Sequence, residues 1–206
     1  VQSRGGVGSK ASTTRDADFL EYLFVATNHN YMLFFTEKGR CFWMRAFEIP
    51  EGTKTSKGRA IQNLINIESD DKVKAFIRAK DLKDEEYINN HCVVMCSKNG
   101  IIKKTTLAAY SRPRVNGINA ITIKEGDQLL EAKLTTGDSH ILIAGTHGRC
   151  IHFPEAKVRP MGRTAAGVKG INMPDGVEVV GMICVEDPET ESVMVVSENG
   201  YGKRSS

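Results

Sequence analysis

Arg4 stands among three glycines in the stretch Gln2-Ser-Arg-Gly-Gly-Val-Gly-Ser-Lys10. Glycines let backbone amides approach an oxyanion closely, and an arginine beside them can pair with it, so Gln2, Arg4, Gly5, Gly6 and Gly8 suit a phosphate. The stretch is not a P-loop: Gly8-Ser9-Lys10 lacks the Gly-Lys-Ser/Thr order, and no strand precedes it. Lys10 and Arg15 extend the same basic opening, residues 1–15, to a net +3. Four further stretches repeat the sign. Residues 38–59, with Arg40, Arg45, Lys54, Lys57 and Arg59, carry +4; residues 98–117, with Lys103, Lys104, Arg112 and Arg114, carry +5. Residues 148–169, with Arg149, Lys157, Arg159, Arg163 and Lys169, carry +4; residues 200–206, with Lys203 and Arg204, carry +2. These five stretches hold +18 of a chain whose net charge is +3, so the remainder holds −15. Solvated loops would be charged without keeping one sign. A sign that returns in register predicts a basic stripe able to hold a polyanion phosphate by phosphate, with little sequence preference and a steep salt dependence. Aromatic residues are too sparse in these loops for base stacking, which favours a duplex held by its backbone.

Bond-breaking chemistry finds no comparable constellation. His29, His91, His140, His147 and His152 form no Ser/His/Asp pattern, and none of Tyr22, Tyr31, Tyr87, Tyr110 and Tyr201 has an arginine neighbour together with an acidic cluster. The five cysteines, Cys41, Cys92, Cys96, Cys150 and Cys184, contain no Cys-x-x-Cys pair. They read as free thiols in strand cores, in a reducing compartment, with no metal site. The expectation is a binding chain without catalysis, metal or cofactor.

Repeats supply the elements that must carry the basic stretches. Tyr31–Trp43, Val93–Lys104, Ile141–His152 and Val193–Arg204 each read as an apolar strand, a polar pair, one glycine and a second strand. The glycines are Gly39, Gly100, Gly148 and Gly200. Seventeen to 24 residues later come Asn63–Ile67, Gly117–Ile123 and Gly167–Met173, each ending in an alternating apolar triplet. Acidic turns follow at 68–71, 125–127 and 174–176, then last strands at 73–77, 128–134 and 177–185. Four strands in about 50 residues is the spacing of a propeller-type blade. Leu82–Tyr87 reads as a short helix in a surface insertion. The fold expected is all-β, with units at 1–26 (the second half of a first blade), 27–92, 93–140, 141–192 and 193–206 (the start of a further blade). A length of 206 residues with 40% hydrophobic content fills a real core. No apolar run reaches membrane length and no leader is evident, and a chain opening at Val1 reads as a fragment.

The opening stretch resembles the Gln-Arg-Arg-Gly-Gly-Lys/Arg-Gly box of a family, the C-terminal DNA-wrapping domains of the A subunit of bacterial DNA gyrase. Gln2, Arg4, Gly5, Gly6 and Gly8 match; Ser3 and Val7 replace basic residues. Asp18–His29, Phe35–Arg40 and Ser197–Arg204 are similar to the same family, and the resemblance runs the length of the chain. It implies a β-pinwheel, a propeller-like disc whose blades exchange strands and whose basic rim wraps duplex DNA with a fixed hand. It further implies a non-catalytic part of an ATP-dependent topoisomerase, with the cleaving tyrosine elsewhere. ATP and Mg2+ would be used by other parts of an assembly of two A and two B subunits, in the bacterial cytoplasm at the nucleoid. The corresponding domain of topoisomerase IV is the nearer alternative, a protein-interaction propeller the further one.

Overall fold

The computed structural model describes residues 14, 19–53 and 55–206. In chain order its strands are β1 (Tyr31–Thr36), β2 (Arg40–Arg45), β3 (Val73–Ala79), β4 (Cys92–Ser97), β5 (Ile101–Thr106), β6 (Ile118–Asn119) and β7 (Leu129–Thr135). There follow β8 (His140–Gly145), β9 (Cys150–Pro154), β10 (Val168–Lys169), β11 (Val179–Val185), β12 (Val193–Val196) and β13 (Gly202–Ser205). One α-helix, α1 (Glu85–Asn90), lies between β3 and β4. The sheets run β3-β1-β2-β6, β10-β5-β4-β7, β11-β8-β9 and β12-β13, with antiparallel neighbours throughout. The all-β expectation holds.

The repeats obey one local rule. Each hairpin turn closes with the glycine amide donating three residues back: Gly39 to Thr36 O, Gly100 to Ser97 O, Gly148 to Gly145 O and Gly200 to Ser197 O. All four glycines have φ between 78° and 83°, a region that a Cβ makes costly. Each inner ladder also slips by one residue at the same place, after Phe35, after Cys96 and at Val179.

The fourth strand of a complete sheet comes from the following repeat. Cys41 and Arg40 pair with Ile118 and Asn119; Ile102 and Ile101 pair with Val168 and Lys169 in the same register. The chain then folds over the turn glycine. Ala120 N and Ile121 N both donate to Gly39 O, as Gly170 N and Ile171 N do to Gly100 O. Only two residues of the second and of the third anchor enter a ladder, fewer than the alternating triplets suggest. Asn63–Ile67 forms no strand; a 3-10 turn at Ile61–Asn63 leads into it, and Ile65 and Ile67 are buried against Met32, Phe34, Phe42 and Met44.

The crossing explains two of the glycines twice over. A Cβ on Gly39 would stand 2.4 Å from Ile121 O, and one on Gly100 2.7 Å from Ile171 Cγ2, whereas Gly148 has nothing within 4 Å. Gly148→Ala should therefore cost only the left-handed backbone penalty, about 1–2 kcal/mol. Gly39→Ala must also displace the strap from the next repeat. Chemical denaturation of the two variants should show a clearly lower midpoint for Gly39→Ala; equal midpoints would contradict the strap.

The core lies between sheets. Along β4, Val93 and Met95 face the first sheet with Leu33, Phe35, Ile77, Leu107 and Leu129, while Val94 and Cys96 face the third with Ile102, Ile141, Ile143, Val179 and Met182. All six residues of β4 are buried, which is why its sequence, Cys-Val-Val-Met-Cys-Ser, lacks polar alternation. Each fully buried large apolar side chain contributes roughly 1.5–3 kcal/mol.

Helix α1 begins three residues later than expected, because Asp84 caps it by accepting from Tyr87 N at 3.1 Å. It is more than a surface insertion: Leu82 and Ile88 are buried in the first inter-sheet core and Tyr87 packs against it. Of the cysteines, Cys41, Cys92 and Cys96 are buried, Cys184 is intermediate and Cys150 is exposed. Cys150 departs from the core expectation because β9 is an edge strand among the described residues, whereas its counterpart Cys41 is covered by β6.

Candidate nucleic-acid interface

Sheet order decides which edge faces outward. Strands β3, β7 and β11 each end a sheet and contact one another in sequence, β3 with β7 and β7 with β11. The opposite edges are β6, β10 and β9. The basic stretches lead into these outer strands. In the second repeat, a 3-10 turn at Leu107–Tyr110 ends β5, and the chain passes Arg112 and Arg114 before entering β6. In the third, a turn at Glu155–Lys157 ends β9, and Arg159 and Arg163 precede β10, on which Lys169 lies. Arg112, Arg114, Lys157, Arg159 and Lys169 are all exposed. So are Lys57 and Arg59 on the first repeat's loop, Arg149 beside its hairpin turn, and Lys203 and Arg204 on β13.

Three arginines are half-buried, and the side chains of two of them are already held. Arg40 Nη2 donates to Asn116 O at 2.6 Å, tying β2 to the loop before β6, and its guanidinium lies 5.8 Å from the Phe42 ring centre. Arg45 Nε donates to Tyr31 Oη at 3.0 Å and stacks over the Tyr31 and Phe47 rings. Arg163 lends its carbonyl to Lys103 Nζ.

Lys103 and Lys104 correct the sequence reading: both are buried, neither on the rim. β5 lies between two inter-sheet cores, so its alternate side chains enter one core or the other. Lys103 Nζ donates to Ala120 O at 2.5 Å and to Arg163 O, clamping the crossing strap from one side and the next repeat's loop from the other. Burial, with the Arg163 guanidinium adding to it, pushes its pKa down to about 8. Tyr110 Oη donates to the same Ala120 O at 3.0 Å, and Trp43 Nε1 to Tyr110 O at 2.9 Å. Lys104 pairs with the buried Glu155 carboxylate at 3.4 Å, across the second and third sheets. A signal for both was available. Counted from the turn glycine, Lys103 stands where the other repeats have Phe42 and Ile151, and Lys104 where they have Trp43 and His152. Lys203 and Arg204 fall in the same registers of β13 but are exposed there, Arg204 Nε donating to Ser192 Oγ at 2.7 Å.

The acidic turns lie against the hairpin turns and neutralise them. Asp71 Oδ1 accepts from Lys38 N and Asp127 Oδ1 from Asn99 N. Lys38 Nζ pairs with Asp70 at 2.6 Å and Glu68 at 3.1 Å, and Lys98 Nζ with Glu178 at 3.3 Å. The hydrogen bonds that Lys38 Nζ donates to the Asp70 and Glu68 carboxylates hold its pKa above the ordinary lysine value. The turn lysines are thus paired, whereas no salt bridge among the described residues involves Arg112, Arg114, Lys157, Arg159 or Lys169. Gln2, Arg4, Gly5, Gly6, Gly8, Lys10, Arg15 and Lys54 lie outside the described residues.

Small antiparallel sheets that receive their outer strand from the following repeat define a β-pinwheel, a propeller-like class. A family model described as "DNA gyrase C-terminal domain, beta-propeller" matches residues 1–27, 30–80, 93–136, 139–186 and 191–206. The chain belongs to this family. It is 43% identical over 204 residues to the A subunit of DNA gyrase from Staphylococcus epidermidis (strain ATCC 12228 / FDA PCI 1200), covering 99% of the chain and 22% of that protein. It is 41% identical over 205 residues to the A subunit of DNA gyrase from Staphylococcus aureus (strain NCTC 8325 / PS 47), covering 100% of the chain and 23% of that protein. Among solved structures, the C-terminal domain of a DNA topoisomerase IV superposes with a TM-score of 0.73 at 28% identity, over 86% of this chain and 53% of that one. A DNA gyrase A C-terminal domain superposes with a TM-score of 0.71 at 20% identity, over 94% of this chain and 63% of that one, and shows the fold alone. The chain spans less than a quarter of its curated relatives' length, and the catalytic region of the gyrase A protein lies outside this C-terminal domain. No helix among the described residues is long and apolar enough to cross a membrane.

Proposed function

We propose that the chain binds duplex DNA by its phosphates along the outer sheet edges and wraps it with a fixed hand, in the service of negative supercoiling. One observation carries the reading: consecutive repeats lead exposed, unbridged cations into equivalent outer strands, with Arg112 and Arg114 before β6, and Lys157 and Arg159 before β10. A duplex bent around such an edge meets cations repeatedly. Smooth bending of a 20–30 bp site by 40–90° costs of order 1–6 kcal/mol, so several phosphate contacts must act together. Arg40 and Arg45 lend charge from fixed positions and Arg163 from the loop before β10, while Lys103 and Lys104 serve the frame. The opening box, with Arg4 among its glycines, is assigned a phosphate contact on the same path. The partners proposed are the rest of a gyrase A protein together with gyrase B, which would supply the cleaving tyrosine, ATP use and Mg2+. The compartment proposed is the bacterial cytoplasm, where the nucleoid lies.

The test is to bind the chain to nicked circular duplex, ligate, remove protein and read the linking number on a two-dimensional gel. A shift of constant sign that grows with protein is expected. Binding without a shift would remove wrapping from the proposal, and no binding at low salt would sink it entirely.

A further inference from the structure

Two loops of the outer edge meet at one buried ammonium. The first, residues 110–120, carries Arg112 and Arg114; the second, residues 158–167, carries Arg159 and Arg163. Lys103 Nζ donates to Ala120 O at 2.5 Å, at the foot of the first loop, and to Arg163 O inside the second. Tyr110 Oη donates to the same Ala120 O at 3.0 Å, so the two ends of the first loop close on each other beside the ammonium. The far end of that loop is also fixed: Gly117 N donates to Arg114 O at 2.9 Å, and Arg40 Nη2 to Asn116 O at 2.6 Å. The second loop is tied to the second repeat at two further points. Met161 N donates to Lys104 O at 2.7 Å, and Thr122 Oγ1 to Thr164 O at 2.7 Å. Of these ties, the Lys103 side chain is the one that holds both loops. It is fully buried and cannot itself reach a phosphate.

We infer that Lys103 is a positioning residue for DNA binding, which fixes the Arg112 and Arg114 loop relative to the Arg159 and Arg163 loop so that both meet phosphates of one duplex at once. The inference rests on the phosphate path proposed above. A duplex offers its phosphates at a set spacing, and loops free to drift would have to be ordered as they bind, at a cost in affinity. An ammonium suits the task, because its three donors serve acceptors on separate elements without the planar fork of a guanidinium. Its bonds to carbonyl oxygens are charge-assisted, hence stronger than those of a neutral donor.

Lys103→Met keeps an unbranched stem and removes both donations. Duplex binding followed against salt should show a slope of log K on log salt flatter by about 1–2 than in the wild type, as for one or two phosphates no longer neutralised. In a background of Arg112→Ala, Arg114→Ala, Arg159→Ala and Arg163→Ala the same substitution should leave the slope unchanged, because the cations it positions are gone. Equal flattening in both backgrounds would mean that Lys103 acts through its own charge. No flattening in the first would reduce it to packing. Either result overturns the inference while the phosphate path stands; a wild-type chain without salt-dependent duplex binding would sink the path and the inference together.

A second measurement needs no variant. Burial, with the Arg163 guanidinium adding to it, lowers the Lys103 pKa to about 8. Above that pH, an opening that returns the amine to water takes up a proton and is disfavoured. Tyr110 and Cys41, on the same seam, are held by burial above their ordinary values and stay neutral. Amide exchange, corrected for its intrinsic pH dependence, should therefore slow about tenfold between pH 7 and pH 9, in both loops together. Loops that respond separately, or a flat profile in both, would mean that they open without releasing Lys103, and would overturn the inference.

Discussion

Glu155→Ala is expected to destabilise the fold by about 3–5 kcal/mol, as breaking a buried ion pair does. Glu155 is fully buried in the 3-10 turn that follows β9. Its Oε1 accepts from Thr135 Oγ1 at 2.8 Å and faces Lys104 Nζ at 3.4 Å, while Oε2 accepts from Ser139 N at 3.3 Å. Thr135 ends β7 of the second sheet and Lys104 lies on β5 of the same sheet, so one carboxylate fastens two strands of that sheet to the third repeat. Alanine would leave the Lys104 ammonium buried without its counter-charge, and a hydroxyl and an amide without their acceptor. Lys104→Met should cost less, because the carboxylate keeps two neutral donors. The double variant Lys104→Met/Glu155→Leu should recover much of the loss, since apolar groups of similar volume can replace a buried pair. Urea midpoints for the wild type, Glu155→Leu, Lys104→Met and the double variant close a double-mutant cycle. A loss below about 1 kcal/mol for Glu155→Ala would mean that the pair does not lock this seam.

That role was hidden from the sequence for a physical reason. Hairpins, turn glycines and last strands are local patterns, and they were legible: β1–β2, β4–β5, β8–β9 and β12–β13 fall on the four repeats read from the chain. The destination of β6 and β10 is not a local property. Their residues look like part of the repeat that contains them, and only the resemblance to a strand-exchanging family suggested that they cross. Lys103 and Lys104 follow from the same gap. A Lys-Lys pair in a charged stretch reads as solvated until β5 is known to be covered on both faces, with Ala120 O and Arg163 O waiting for one ammonium and Glu155 for the other. Phe42 and Trp43 occupy the same two places in the first repeat, and that apolar pair was the warning. The charge split was legible as a sum but not as a geometry. Lys38 and Lys98 count toward the basic stretches, yet acidic groups hold both, Asp70 and Glu68 of an acidic turn in one case and Glu178, just before β11, in the other.

This distinction between counted and available cations has a measurable consequence. Substituting Arg112, Arg114, Lys157, Arg159 and Lys169 together by alanine should flatten the slope of log K against log salt by about 4–5, at roughly 0.9 for each phosphate no longer neutralised. On the same basis, duplex affinity near physiological salt should fall by about a hundredfold or more. The matching control is Lys38→Ala/Lys98→Ala. It removes two lysines that are engaged with Glu68, Asp70 and Glu178, and it should leave the slope nearly unchanged. Long-range field alone would predict the opposite ordering per charge, because the control unmasks acidic groups as well as removing cations. The five exposed positions make no ion pair among the described residues. Lys169 Nζ donates to Asn172 Oδ1 at 2.8 Å, a bond at the surface, so folding should survive their replacement. An unchanged slope in the five-residue variant would move the phosphate path off the β6 and β10 edges. A slope that falls equally in the control would mean that the hairpin turns, rather than the outer strands, meet the DNA.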